Sequence, residues 1–188
     1  MRIPEKPDNE YPFFARFIMW TQKIKYGQTL LPARLWGRSP KLMYGLQALY
    51  RAIDRKSSPL EPPLRALISV EVSRINNCRF CVDIGEALLE KRGCSMEKIA
   101  ALPDYETASA FNERERAALA YAEAMTRTDK GVDDALFSRL SAQFSADEII
   151  ELTALVGYQN LSSKFNAALG VPPQGFCLLQ APKGSRKG

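Results

Sequence analysis

The chain contains no histidine among its 188 residues. A Ser-His-Asp triad, a Cys-His pair and a His-ligated zinc site are therefore excluded within it. Any proton donor or acceptor must be a carboxyl group, a lysine, a tyrosine or a thiol. Cysteine is scarce as well: Cys78, Cys81, Cys94 and Cys177 are the four present. That is too few, in too long a chain, for a secreted disulfide framework. Long apolar runs are also missing, since no stretch approaches the ~18–20 residues of a membrane span. The first residues, Met1-Arg2-Ile3-Pro4-Glu5-Lys6-Pro7-Asp8, are polar and broken by proline, unlike a signal peptide. These absences lead us to expect a soluble, cytoplasmic protein without a membrane partner.

What is present fits a globular chain. Apolar residues make up 46% of the sequence, enough for a core. The formal charge is +5. Residues 11–60 hold nine Lys or Arg against the single Asp54, and the tail from Lys183 adds three more. The basic residues are spread out, without the dense stripe or recognised module of a nucleic-acid binder. A solvated surface is the expected reading, with a weak preference for acidic partners.

The apolar periodicity is helical throughout, and no segment alternates as a strand does. An aromatic-rich arm, 1–58, reads as two or three helices divided by Pro32 and Ser39-Pro40. It either packs on the core or builds a subunit interface. A core, 59–172, opens with a helix over 61–75, striped by Leu64, Leu67, Ile68, Val72 and Ile75. Asn77 is expected to cap a second helix reaching Lys91, which Gly93 ends. A short helix follows Ser95. Asn112…Glu115 and Ser145…Glu148 have capping-box spacing and open helices to about 126 and 169, with another over 132–142 between them. The tail, 173–188, is expected to be disordered.

Chemistry concentrates in Cys78-Arg79-Phe80-Cys81. Three residues apart on a helix, the two Cα atoms fall roughly 5–5.5 Å apart, within disulfide range. With Asn77 as cap, Cys78 takes the first helical position and Cys81 the fourth. Free N–H groups, the helix dipole, Arg74 and Arg79 then favour a thiolate. Such a pair suits thiol–disulfide exchange or attack on a peroxide. Two inert buried cysteines are a second reading. Metal binding is a third, although Cys94 and Cys177 show no pairing motif; nothing else asks for a metal or cofactor.

Glu71 falls inside the apolar stripe, where burial raises a carboxyl pKa toward neutrality. It is a candidate proton relay or half of a structural ion pair. If the helix axis continued, it would lie about 10 Å from Cys78. Gly85, one turn beyond Cys81, costs a helix about 1 kcal/mol relative to Ala. It leaves either a small cavity beside the sulfur or room for close helix packing. Asp83 and Glu86 could also pass protons, with Asp83 expected at the surface. Cys177 could supply a third thiol.

Residues 66–93, with Val72-Ser73-Arg74-Ile75-Asn76-Asn77-Cys78-Arg79-Phe80-Cys81-Val82-Asp83, resemble the core of the AhpD-like alkylhydroperoxidase and carboxymuconolactone decarboxylase superfamily. Residues 145–160 resemble its second helical hairpin, and the arm resembles an extension in some branches. The resemblance implies an all-α, AhpD-like homo-oligomer with an N-terminal helical extension. It implies a peroxidase with peroxiredoxin-type activity, in which Cys81 attacks a hydroperoxide and Cys78 resolves the sulfenic acid into a disulfide. A lipoylated or thioredoxin-like dithiol would then restore the thiols. The family's relay histidine and glutamate fall at Gly85 and Ala66 here, which leaves Glu71 as the candidate substitute. The alternative is a dithiol redox or binding protein of the same fold without efficient peroxidase activity.

Overall fold

Prolines and small polar residues mark where each helix begins. In the computed structural model, which describes residues 1–177, Pro32 lies in the first turn of a helix and Pro40 and Pro62 each open one. There the missing N–H costs nothing. The arm forms α1 (Phe13–Tyr26), α2 (Leu31–Trp36) and α3 (Pro40–Ile53). The core forms α4 (Pro62–Ile75), α5 (Arg79–Lys91), α6 (Met96–Ala100), α7 (Glu113–Thr126), α8 (Asp134–Ser141) and α9 (Ala146–Ala168). Both expected capping boxes are present, Asn112 with Glu115 and Ser145 with Glu148. Gly93 takes the left-handed conformation, φ 88°, just past α5. No strand occurs among the described residues, and none of their helices is long and apolar enough to cross a membrane.

α4 is the hub, packed against α5, α7 and α9. The sequence suggested a single apolar stripe on it, yet α4 buries almost its whole circumference. Leu64, Ile68 and Val72 meet Ala118 and Tyr121 of α7 and Leu152 and Val156 of α9. Ala66, Leu67 and Val70 meet Leu89 of α5, Ile99 of α6 and Leu119 of α7. Polar residues on α4 are then buried too, and each needs a partner. Arg65 pairs with Asp54 at 3.2 Å. Ser73 accepts a hydrogen bond from Gln159 Nε2 at 2.7 Å.

The arm lies against the core by one face. Tyr11, Ala15, Ile18 and Met19 join Ala33, Trp36 and Met43 in a cluster, and the Trp36 ring stacks on Phe165 of α9 at 3.7 Å. The opposite face of α1 carries Phe13, Phe17, Trp20 and Ile24, all exposed.

One open reading is decided here, and one expectation changes. A β-carbon at Gly85 would sit 2.7 Å from Val70 Cγ2, so the glycine serves close packing of α5 on α4 and leaves no cavity. The tail is ordered through Cys177, held by contacts described below, while residues 178–188 lie outside the described part of the chain.

Gly85→Ala therefore sets helix propensity against overlap with a stiff, buried valine. We expect a net loss of about 1–2 kcal/mol in urea unfolding, despite a propensity gain of about 1 kcal/mol. The same change in a Val70→Ala background should cost nothing further. A stabilising Gly85→Ala in the otherwise unchanged chain would refute the packing account.

Candidate functional site

The site begins with the turn between α4 and α5. The Asn77 N–H bonds to the Arg74 carbonyl at 3.0 Å and the Cys78 N–H to the Ser73 carbonyl at 2.9 Å. Asn77 is left-handed, with φ 53°. This is the paired bonding of a Schellman turn, whose left-handed residue is commonly Gly or Asn. Asn77 thus ends α4 and is unable to cap α5, as the sequence had suggested. Cys78 is the cap instead, and its sulfur accepts the Cys81 N–H at 3.2 Å. Cys81 is accordingly the third residue of α5.

Cys78 and Cys81 are joined by a disulfide, their Cα atoms 5.2 Å apart. Each sulfur has its own N–H donor. Cys78 receives the backbone N–H of Cys81, and Cys81 receives Asn166 Nδ2 of α9 at 3.3 Å. Asn166 is buried, and its Oδ1 has no hydrogen-bond partner. The sulfurs differ in surroundings. A cavity of about 280 Å³, lined by Arg74, Asn77, Cys78, Arg79 and Val82, opens beside Cys78. Both cysteines are buried in one apolar cluster with Leu35, Phe80 and Val171.

Asn166 belongs to a polar seam along α9. Gln159 reaches Ser73, and Asn76 Nδ2 donates to both Asn160 Oδ1 and Ser163 Oγ at 2.9 Å. Residues 159, 163 and 166 recur at helical spacing, so the seam has a sequence trace that attention to apolar stripes alone passes over.

Asp83 is completely buried, contrary to the surface position expected. Its Oδ2 accepts the N–H groups of Gln174 and Gly175 at 2.7 and 2.8 Å, and its Oδ1 accepts that of Cys177 at 2.8 Å. The carboxylate thereby fixes the end of the described chain across α5. Phe176 meets Phe80 edge-on, and the Gln174 side chain bonds to Gln28, Thr29 and Leu31 between α1 and α2. Cys177 is buried on this segment. Glu86 is buried too, whereas Cys94 is half-buried with a free thiol whose pKa burial pushes up. Among the described residues, no group of three or more Cys, Asp or Glu is placed to hold a metal ion.

Glu71 is buried, with Oε2 3.8 Å from Arg74 Nε and without a hydrogen bond. Burial pushes its pKa up to about 7; Arg74 opposes this and Glu123 of α7 adds to it. Because α4 ends at Ile75, no continuous helix carries Glu71 to the sulfurs. The link runs through Arg74, which touches Glu71 and also lines the cavity at Cys78. The structure brings Cys78 and Cys81 together and leaves Glu71 one side chain removed.

Comparison with known proteins agrees with this architecture. The Carboxymuconolactone decarboxylase family matches residues 40–124. YnjA of Escherichia coli (strain K12) is 42% identical over 171 residues, which cover 91% of this chain and 94% of YnjA. The chain belongs to the AhpD-like and carboxymuconolactone decarboxylase superfamily. A peroxidase-related protein with an AhpD core from Ralstonia eutropha JMP134 shares the fold, with TM-score 0.82 and 22% identity over 93% of each chain. The debrominase Bmp8 shares it as well, with TM-score 0.76 and 22% identity over 86% of this chain and 87% of Bmp8. The fold thus accompanies more than one chemistry.

The Glu71 pKa sets a pH dependence of stability. Because the folded value lies above the ordinary 4.5, folding is favoured most when the carboxyl is protonated. That contribution is complete below about pH 4.5 and is lost as pH rises through about 7. Glu71→Gln should therefore match the unsubstituted protein at low pH and exceed its stability by up to about 3 kcal/mol near pH 8. Chemical denaturation at the two pH values measures this, and an equal difference at both would remove Glu71 as the cause.

Proposed function

We propose that this protein is a thiol-dependent, peroxidase-type oxidoreductase of the cytosol that reduces hydroperoxides through the Cys78–Cys81 dithiol. The observation that carries the reading is the disulfide at the head of α5, each sulfur facing its own N–H donor. A thiolate is stabilised by such donors, and a close second sulfur allows disulfide closure without rearranging the backbone.

In the proposed cycle the Cys81 thiolate attacks the terminal oxygen of R–O–O–H. An S–O bond forms, the O–O bond breaks and the alkoxide leaves with a proton as the alcohol. The Cys78 thiolate then attacks the sulfenic sulfur, forming the S–S bond and releasing hydroxide, which is protonated to water. An external dithiol, lipoylated or thioredoxin-like, returns two electrons by exchange, and the opening beside Cys78 is where its thiolate would enter. Glu71 is the candidate to hold or supply a proton through Arg74, its carboxyl being near neutrality. Neither Gly85 nor Ala66 can take that part.

One equivalent of tert-butyl hydroperoxide should remove two of the four thiols of the reduced protein. Cys81→Ser should lower peroxide consumption, with dihydrolipoamide as reductant, by at least ~100-fold. Cys78→Ser should still form one sulfenic acid, trapped by dimedone. A Cys81→Ser variant with undiminished turnover would refute the assignment. Loss of thiols to glutathione disulfide but not to hydroperoxide would favour a dithiol exchange protein without peroxidase activity.

The exposed stripe Phe13, Phe17, Trp20 and Ile24 supports assembly of several copies of the chain. Native mass spectrometry should give a multiple of 21.1 kDa, lowered by Trp20→Glu. A monomer at micromolar concentration would exclude that role for the stripe.

A further inference from the structure

Asn166 is not explained by packing. Its side chain is 2% exposed, and Nδ2 donates to Cys81 Sγ, but Oδ1 is buried without a partner. A buried carbonyl left unpaired is a cost that a leucine at this position would not carry. In the disulfide, moreover, the Cys81 sulfur is a weak acceptor for the amide. The oxidised form therefore uses one half of the side chain poorly and the other half not at all. Reduction changes the first of these terms: a thiolate at Cys81 is a strong, charged acceptor for the amide N–H.

We propose that Asn166 biases the Cys78–Cys81 couple toward the reduced state by donating its Nδ2–H to the Cys81 thiolate. The inference rests on the redox reading above but does not require a hydroperoxide to be the substrate.

The exchange step shows how the bias acts. A glutathione thiolate entering by the cavity attacks Cys78 Sγ, and a mixed disulfide forms. The Cys78–Cys81 bond breaks, and Cys81 leaves with the electron pair as a thiolate facing Asn166 Nδ2–H. A second glutathione thiolate attacks the glutathione sulfur of the mixed disulfide and releases glutathione disulfide. Cys78 leaves as a thiolate and takes a proton from water. Two electrons have passed from two glutathione thiols to the protein.

The surrounding charges are already engaged or stand on the other sulfur. Arg74 and Arg79 line the cavity at Cys78. Asp83 is committed to the N–H groups of Gln174, Gly175 and Cys177, and Arg34 of α2 pairs with Glu5 and Asp8. Lys164 of α9 is exposed, and Glu86 of α5 is buried. Among the described residues, the recorded hydrogen-bond donor to Cys81 Sγ is the Asn166 amide.

The test equilibrates the full chain with mixtures of reduced and oxidised glutathione and counts the protein disulfide. Asn166→Leu keeps the volume and removes both polar atoms. It should shift the equilibrium about tenfold toward the disulfide, equivalent to about 30 mV. Asn166→Asp, which places a carboxylate beside the sulfur, should shift it further in the same direction. In the unsubstituted reduced protein, the Asn166 side-chain amide resonances should move as the ultraviolet thiolate absorbance rises. This control needs no variant to fold. A Leu variant within twofold of the unsubstituted equilibrium, or amide resonances that ignore the titration, would overturn the proposal. If the couple equilibrates with glutathione but ignores hydroperoxide, the peroxidase reading alone fails. If no disulfide forms at any ratio, both fail.

Discussion

Everything at this site depends on how α4 is brought to a stop. Ser73 and Arg74 offer carbonyls that a helix end leaves unpaired, and the N–H groups of Cys78 and Asn77 take them. Cys78 is thereby fixed by its backbone to one helix while its sulfur begins the next. Few positions in a chain are constrained from both sides in this way. The fourth atom of the arrangement, Cys81 Sγ, then has its place set by a single turn of α5. The disulfide therefore spans the first turn of α5, a helix that packs closely on α4 at Gly85 against Val70.

From that turn the site grows by contacts that are distant in sequence. Asn166 lies 85 residues from Cys81, and the N–H groups held by Asp83 lie 91 to 94 residues from it. The Asp83 carboxylate gathers three donors, an arrangement common where backbone N–H groups converge on an anion. It ties the 174–177 segment to α5 through the N–H groups of Gln174, Gly175 and Cys177. Phe176 and Val171 can then close the apolar surround of the cysteines. The interior of the pair is walled by α2, α9 and this segment, whereas the cavity at Cys78 is left open.

The division between what the sequence made legible and what it did not follows the range of each interaction. The Cys78–Cys81 spacing, the capping boxes at Asn112 and Ser145 and the end of α5 at Gly93 are local patterns, and each was readable. Asn77 was misread because Asn serves both helix starts and left-handed helix ends; only the hydrogen bonds to Ser73 and Arg74 distinguish them. Asp83 was misread because carboxylates are usually exposed. Nothing near it announces three donors almost a hundred residues away. Gly85 was ambiguous for the same reason, since its use depends on Val70 of another helix. Glu71 was correctly placed in an apolar face, but the break after Ile75 removed the straight path to Cys78 that its spacing suggested.

A chain without histidine must stabilise a thiolate by groups of a different character. The two donors present, a backbone N–H on Cys78 and a carboxamide N–H on Cys81, do not titrate. Their effect on the sulfurs is fixed by geometry and persists across the pH range in which an imidazole would change charge. The group that does change there is Glu71, whose influence must pass through Arg74. Above about pH 7 the carboxylate partly neutralises that guanidinium; below it, Arg74 stands without this counter-charge. Because Arg74 lines the cavity, the same protonation changes the charge of the cavity wall. The hydrogen-bond donors at the two sulfurs are thus independent of pH, whereas the charge of the cavity wall at Cys78 follows Glu71.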